Sequence, residues 1–353
     1  MTRVLQCVVG MNRGGLETFT MNLLRNIDRE LIQFDFLVSL DGDYDEEIRE
    51  LGGQIFKIPF INKVGPFAYA ANLRSFFKNH REYKIIHIQM DKFGGMIARE
   101  ACKTDIPVRI VHSHNTQNEG GITQRLVKNY YGRMVLNYAT HLFACGYAAA
   151  DWMFGKDAKK AVIVNNGIDL ERFKVNDTRE AEFLTIGNIA RFAANKNHDF
   201  LLDILYEVKK KDIKAKLLLA GDGALLEDIK RKANQLNLTE DIEFMGVRSD
   251  VENVYTRCDV ICMPSLHEGL PVTLVEAQAC GVPCLVSDTI SRECDITGEV
   301  DFLSLNDPPS VWAEKLLEYK GYPRKNNTEI LEEKGYSIKQ TALEMQEFYV
   351  KLG

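Results

Sequence analysis

The sequence predicts an α/β protein of two doubly wound units, and three observations lead there. The chain has 353 residues, and at roughly 150 residues per domain that length suits two domains. Short apolar runs alternate with helical patterns twice over, with a break between the two series. Glycine-containing loops follow the strands ending near residues 9, 186, 220 and 264, which is where open parallel sheets bind their ligands.

The first series opens with RVLQCVV, a buried strand, then the loop MNRGG and a helical pattern over residues 16–27. QFDFLVS and GQIFKIP read as the next strands, with a helix at about 67–79. KIIHIQM is a strand, followed by a helix over 94–103. VRIVHSHN is a strand, followed by a long helix from about 121 to 140, and HLFACG closes the series. Continuous apolar strands of this kind need helices on both faces, hence a parallel sheet. The turn cluster Asn165, Asn166 and Gly167 then breaks the pattern. The alternation restarts with EFLTIGNI, the helix HDFLLDILYEVKK, the strand AKLLLAGDG and the helix LLEDIKRKANQLN. It continues through the strand IEFMG, the helix VENVYTRC, the strand DVICMPS, the helix TLVEAQACG and the strand PCLVSD. Residues 336–353 form one more helical stretch with apolar positions at helical spacing, which should pack on the body of the protein. The expected domains are therefore 1–165 and 166–335, facing across a cleft, with 336–353 as the added helix.

Composition narrows the function classes. Hydrophobic residues make up 45% and charged residues 27%, enough to bury an ordinary core. The net charge of −6 argues against a dedicated nucleic-acid binder, which shows a basic face. The one basic run, KKKDIKAK at 209–216, reads as a solvated helix end. No stretch approaches the roughly 18 apolar residues of a membrane span. The start, MTRVLQCVVGMNRGG, lacks the apolar centre of a signal peptide, so a cytoplasmic protein is expected, with docking on a membrane surface left open. Eight cysteines should then be reduced and mostly buried. Cys258 with Cys262, and Cys280 with Cys284, resemble metal spacing, but Cys262 lies inside the apolar run DVICMP, which reads as a buried strand and not as a zinc-binding loop, and no metal is expected.

The most informative segment is PSLHEGLPVTLVE, residues 264–276. Glu268 and Glu276 flank the loop EGLP between a strand and a helix. Pro271 suits the helix's first turn, where its missing N–H is harmless, and the free N–H groups of Gly269 and Leu270 make an anion-binding end. Two carboxylates repel a phosphate, so they make better sense gripping sugar hydroxyls. The second segment is GNIARFAANKNH, residues 187–198, where Arg191 and Lys196 occupy a polar loop. Arg meets phosphate oxygens bidentately and Lys acts as a mobile point charge. Two cations suit a departing diphosphate, on which negative charge grows. In the first loop, GMNRGGLE, Gly14 and Gly15 permit a close backbone approach to a phosphate or sugar. The spacing is not that of a dinucleotide fingerprint. At the end of VRIVHSHN, His112 and His114 are expected to face opposite sides of the sheet, with His114 turned to the ligand.

Taken together, EGLP within E-x7-E, the Arg–Lys loop, the early GG loop and the NGID linker resemble the retaining GT-B glycosyltransferases of family four. The resemblance runs along essentially the whole chain and is most specific over 183–293. The bacterial branch that builds exopolysaccharide, capsule or lipopolysaccharide is the most similar. It implies that Arg191 and Lys196 bind the donor diphosphate, that Glu276 holds the ribose, and that Glu268 with the backbone of Gly269, Leu270 and Pro271 holds the sugar. Gly246, Val247 and Arg248 would line the base pocket, Gly14 and Gly15 would lie beneath phosphates or acceptor, and His114 would touch the transferred sugar. It further implies no cofactor or metal, a UDP-linked sugar as donor, and a glycan or polyprenyl-diphosphate-linked saccharide as acceptor, the last placing the protein near the inner membrane face. The last helix would cross back onto the first domain. Asn188 departs from the family, standing where many members carry Arg.

Two further signals carry less. Asp41, Asp43 and Asp45 in DGDYDEE imitate a metal-binding D-x-D or calcium loop, but Glu46 and Gly52 stand where the latter needs Gly and Glu, so a solvated acidic loop is expected. A nucleotide-sugar epimerase, active on donor alone, and a non-catalytic sugar-binding protein are the competing classes.

Overall fold

The computed structural model describes residues 1–116 and 122–353, which divide into two compact units: Met1–Gly167 with Gly335–Gly353, and Ile168–Lys334. In chain order the first holds β1 (Thr2–Cys7), α1 (Gly15–Asn26), β2 (Ile32–Val38), α2 (Asp45–Glu50), β3 (Ile55–Lys57), α3 (Ile61–Asn79), β4 (Ile85–Ile88), α4 (Gly94–Cys102), β5 (Val108–Ser113), α5 (Ile122–Tyr138), β6 (His141–Ala144), α6 (Tyr147–Phe154) and β7 (Val162–Ile163). The second holds β8 (Leu184–Ile189), α7 (His198–Lys209), β9 (Ala215–Ala220), α8 (Leu226–Gln235), β10 (Ile242–Gly246), α9 (Glu252–Arg257), β11 (Val260–Met263), α10 (Val272–Ala279), β12 (Cys284–Ser287), β13 (Val300–Leu303), α11 (Pro309–Leu317) and α12 (Thr328–Glu333). A final helix, α13 (Ile338–Leu352), belongs to the first unit.

Every strand pairing in both sheets is parallel. The first sheet runs β3-β2-β1-β4-β5-β6-β7 and the second β10-β9-β8-β11-β12-β13. In each, the strand order reverses beside the unit's first strand, between β1 and β4 and between β8 and β11. A crevice opens beyond the strand ends at such a switch point, so the loops after β1, β4, β8 and β11 are the ones topology sets aside for ligands.

In the first unit Val4, Phe34, Phe36, Ile110 and Phe143 of the sheet bury against Met345 and Tyr349 of α13. That is why the last helix docks here: its apolar stripe has a covered partner. In the second unit Ile186, Leu217 and Leu219 of the sheet pack against Leu201 and Leu205 of α7 and the fully buried Trp312 of α11. Truncating Trp312 would cost about 3–5 kcal/mol.

The structure departs from the sequence expectations in several places. The acidic run does not stay a loop: Asp45 opens α2, whose first turn carries Asp45, Glu46 and Glu47, complementing the helix dipole. Asp41 pairs with Lys57, and Asp43 accepts the backbone N–H of Arg13 at 3.2 Å. The helix expected from residue 67 starts at Ile61 and bends at Gly65, where φ is +79° just before Pro66. β7 lies just before the turn cluster, and it, β13, α11 and α12 had no sequence counterpart. The helix expected from about 121 begins at Ile122, residue 121 lying outside the described residues. Each lysine of the basic run pairs with a carboxylate: Lys209 with Asp241, Lys210 with Glu207, Lys211 with Glu314, Lys214 with Glu182 and Lys216 with Glu180. Seven of the eight cysteines are buried, and no disulfide is seen among the described residues.

Candidate functional site

In the second unit, two loops leave neighbouring strands β8 and β11 and are tied together by backbone. Leu266 N–H donates to the Asn195 carbonyl at 2.7 Å, and the Asn197 amide donates to the Pro264 carbonyl at 3.0 Å. Asn197 sits in the left-handed region, φ +55°, a conformation Asn tolerates better than most residues. The Lys196 ammonium donates to both oxygens of Glu268, at 2.6 and 2.7 Å, with side chains 20% and 9% exposed. Arg191 is exposed, and its guanidinium has no partner among the described residues. Behind them His198 stacks on Phe192 with ring centroids 4.3 Å apart. Burial, helped by the nearby Lys196 charge, lowers the His198 pKa to about 4. That imidazole is therefore a neutral wall for the loop.

Glu276 lies one turn into α10 and is buried. The Tyr255 hydroxyl donates to its Oε2 at 2.8 Å. Burial raises its pKa to about 7, with the Tyr255 hydrogen bond opposing. Once ionised, a desolvated carboxyl is a strong acceptor for a ligand hydroxyl. Pro271 occupies the cap position of α10, one residue earlier than expected, and Val272 opens the helix. Thr273 ties this end to β8 by donating to the Ile189 carbonyl at 3.3 Å.

Gly246 ends β10 with φ +64°, Val247 is exposed, and Arg248 makes a two-bond pair with Asp250 at 2.8 and 2.6 Å. The segment is joined to the Arg191 loop through Gly221 and Asp222. The Gly221 N–H donates to the Gly246 carbonyl at 2.8 Å, and the Phe192 N–H to the Asp222 carbonyl at 2.9 Å. A Cβ on Gly221, at φ +144°, would lie 2.1 Å from the Ala190 oxygen, so only glycine permits this contact. Asn188 is buried, and its amide donates to the Cys262 carbonyl across β8 and β11 at 2.8 Å. It braces the sheet at this point and does not project as a cation would.

In the first unit a cavity of about 240 Å³ opens at the β1/β4 switch point. His112, His114 and Gln89 line it, with Val9 and Leu16 on the side of the Gly14–Gly15 turn and the Lys128–Asp91 ion pair, 2.9 Å, at another edge. Gly14 caps α1 and Gly15 is its first residue. The expectation that His112 and His114 face opposite sides is wrong. Residues two apart in a strand share a face, and the two rings lie 4.1 Å apart. His114 Nε2 meets Gln89 Oε1 at 3.0 Å. Burial lowers the pKa of His87 and of His114 to about 3 and that of His112 well below its ordinary value, so the cluster is neutral.

The structure thus brings Arg191, Lys196, Glu268, Gly269, Leu270 and Pro271 onto adjoining loops of one unit and Glu276 onto the helix that follows them, with Gly246, Val247 and Arg248 linked to them. His114, Gly14 and Gly15 lie in the other. The sequence reading missed Tyr255, His87 and Gln89. The last two could have been found, since they are polar residues at alternate positions of the buried strand KIIHIQM; Tyr255 leaves no such signal. Among the described residues no group of three His, Cys, Asp or Glu side chains is placed to hold a metal ion, and no helix is long and apolar enough to cross a membrane.

Comparison with known proteins adds the family. Residues 13–172 match the family described as Glycosyltransferase Family 4, and residues 182–319 the one described as Glycosyl transferases group 1. EpsF of Bacillus subtilis (strain 168), a glycosyltransferase by assignment, is 40% identical over 359 residues, covering 96% of this chain and 94% of its own. The UDP-Gal:alpha-D-GlcNAc-diphosphoundecaprenol alpha-1,3-galactosyltransferase of Escherichia coli is 25% identical over 247 residues, 64% of each chain. Among solved structures, Anabaena HepE in complex with UDP and glucose matches with a TM-score of 0.79 at 15% identity over 99% of both chains, a likeness of fold. These relatives lend nothing to the epimerase alternative. Similar to EpsF along nearly its whole length and matching glycosyltransferase families in both halves, the chain belongs to the family-four glycosyltransferases and has their GT-B fold.

Proposed function

We propose that the chain transfers a hexose or N-acetylhexosamine, with retention and without a metal, from a UDP-sugar to a glycan or lipid-linked saccharide during assembly of a bacterial surface polysaccharide. One observation carries the reading: an unpartnered Arg191 shares a loop with Lys196, whose charge is held by Glu268. That loop sits at the switch point of the second sheet, where a diphosphate would meet two cations.

In this reading Arg191 and Lys196 take up the charge that grows on the leaving diphosphate, the task a metal performs elsewhere. Glu276 accepts from the ribose hydroxyls. Glu268 orients the sugar, with the Gly269–Leu270–Pro271 backbone beside it. The segment Gly246, Val247 and Arg248 faces the base, Gly14 and Gly15 lie beneath phosphate or acceptor, and His114 contacts a sugar hydroxyl. No carboxylate is required as nucleophile: the leaving phosphate oxygen takes the acceptor's proton as the sugar–oxygen bond breaks, and the acceptor oxygen bonds to the same face. The UDP donor and lipid-linked acceptor are supported by the name of the Escherichia coli relative, and UDP by the HepE complex. An acceptor of that kind would bring the protein to the inner face of the cell membrane.

The test is a panel of sugar nucleotides with a polyprenyl-diphosphate saccharide, reading acceptor-dependent release of UDP in excess chelator and the anomeric configuration of the product. An inverted product, or turnover that needs added metal, refutes the mechanism. Interconversion of donor without acceptor refutes transfer altogether.

A further inference from the structure

The cavity of the first unit is backed by a chain of buried hydrogen bonds that ends on the last helix. The Tyr349 hydroxyl of α13 lies 2.6 Å from His87 Nδ1, and His87 Nε2 lies 3.1 Å from His112 Nδ1. His112 Nε2 and His114 Nδ1 are buried and have no partner among the described residues. Both rings line the cavity.

The protons in this chain can be assigned. Gln89 Oε1 is an acceptor, so His114 Nε2 carries the hydrogen and its Nδ1 a bare lone pair. The Thr20 hydroxyl gives its hydrogen to the Leu16 carbonyl at 2.9 Å and so accepts from Gln89 Nε2 at 3.1 Å; Gln89 Nε2 also donates to Gln6 Oε1 at 2.9 Å, which orients both amides. The Tyr349 hydroxyl has no other hydrogen-bond acceptor among the described residues, so its one hydrogen goes to His87 Nδ1. His87, neutral because it is buried, must donate from Nε2 to His112 Nδ1. His112, equally neutral, is left with its hydrogen on Nε2.

We propose that Tyr349, acting through His87, is a positioning residue that sets His112 as the Nε2–H tautomer, so that the cavity holds one ligand hydroxyl between a donor, His112, and an acceptor, His114. A hydroxyl both gives and takes a hydrogen bond, and two adjacent imidazoles of opposite polarity match it. An ether, a ketone or an ammonium group satisfies only one side. The ligand class is a polyol, and for the reaction proposed above it is a sugar; the inference rests on that reading for its substrate but not for its proton chain.

The experiment uses the full chain with ¹⁵N-labelled histidine, comparing wild type with Tyr349→Phe. Long-range proton–nitrogen spectra report which ring nitrogen of each histidine bears hydrogen. Wild type should show His112 protonated on Nε2 and His114 on Nε2. In Tyr349→Phe the His112 signals should move toward a mixture of tautomers, while His80, His141 and His198 keep their shifts and so report an intact fold. kcat/KM for transfer should fall about three- to tenfold, the worth of one hydrogen bond. His87→Gln provides a second variant, in which the amide can still donate to His112; it should retain the His112 tautomer although Tyr349 is disconnected. A wild-type His112 protonated on Nδ1, or a Tyr349→Phe variant whose His112 does not change, overturns the relay. A changed tautomer with unchanged kcat/KM overturns the hydroxyl subsite. Absence of any transfer by wild type refutes the proposed function and leaves the tautomer result standing.

Discussion

Replacing Lys196 by Met separates what this side chain does for the fold from what it does for a donor. The ammonium donates two bonds, 2.6 and 2.7 Å, to a Glu268 side chain that is 9% exposed. Hydrogen bonds between charged groups contribute about 1.5–3 kcal/mol net. Breaking a fully buried pair costs about 3–5 kcal/mol, but Lys196 is 20% exposed, and water can reach the orphaned carboxylate, so the lower range applies. A loss of about 2 kcal/mol by urea unfolding is expected, too small to unfold a domain stable by about 5–15 kcal/mol. Removing a cation that stabilises the leaving diphosphate should cut kcat by about 10²–10³, as for other preorganised electrostatic groups. Release of UDP at saturating donor measures that directly. Glu268→Gln, which keeps the shape and frees Lys196, serves as the companion. If Lys196→Met turned over within about a factor of three of wild type, under about 0.7 kcal/mol of barrier, the assignment of Lys196 to the leaving group would be refuted.

Arg191→Gln should behave differently, because Arg191 is exposed and unpartnered among the described residues. Stability should stay within about 0.5 kcal/mol while kcat falls, a split read by parallel unfolding and turnover. Glu276 has a pKa raised from 4.5 to about 7, so the folded state binds more protons than the unfolded between those values, and wild-type stability falls as pH rises through that window. Glu276→Gln should remove the slope, gaining on wild type by at most about 3 kcal/mol above pH 7, measured by melting from pH 4.5 to 8. Gly221→Ala meets both a positive φ and the Ala190 oxygen. It should destabilise the second unit by about 2 kcal/mol or more and displace the Arg191 loop, raising KM for donor.

Most of the architecture was legible because apolar strands and amphipathic helices carry periods of their own. IEFMG, DVICMPS and PCLVSD each became a parallel strand. What escaped was short or locally ambiguous. β13 is four residues long and only its first is buried, and α2 hides in an acidic run whose helix depends on its charge lying at an N-terminus. The loop residues Arg191, Lys196, Glu268 and Glu276 could be named from residue type and placement after strands. Their states could not. Nothing in the spacing of 196 and 268 says that the two side chains neutralise each other, and nothing around 276 says that a tyrosine 21 residues away caps its carboxyl.

By itself the sequence determined the two-fold alternation of strand and helix, the loops that end at the ligand-binding edge, and the residues with charge to place there. These depend on hydrophobic period and turn chemistry, which are local. Only the tertiary structure decided which charges are already partnered, that His112 and His114 share one face, and that the last helix reaches His87 through Tyr349. Those facts depend on contacts between residues far apart in the chain, and proton positions and desolvation are properties of such contacts, not of any one segment.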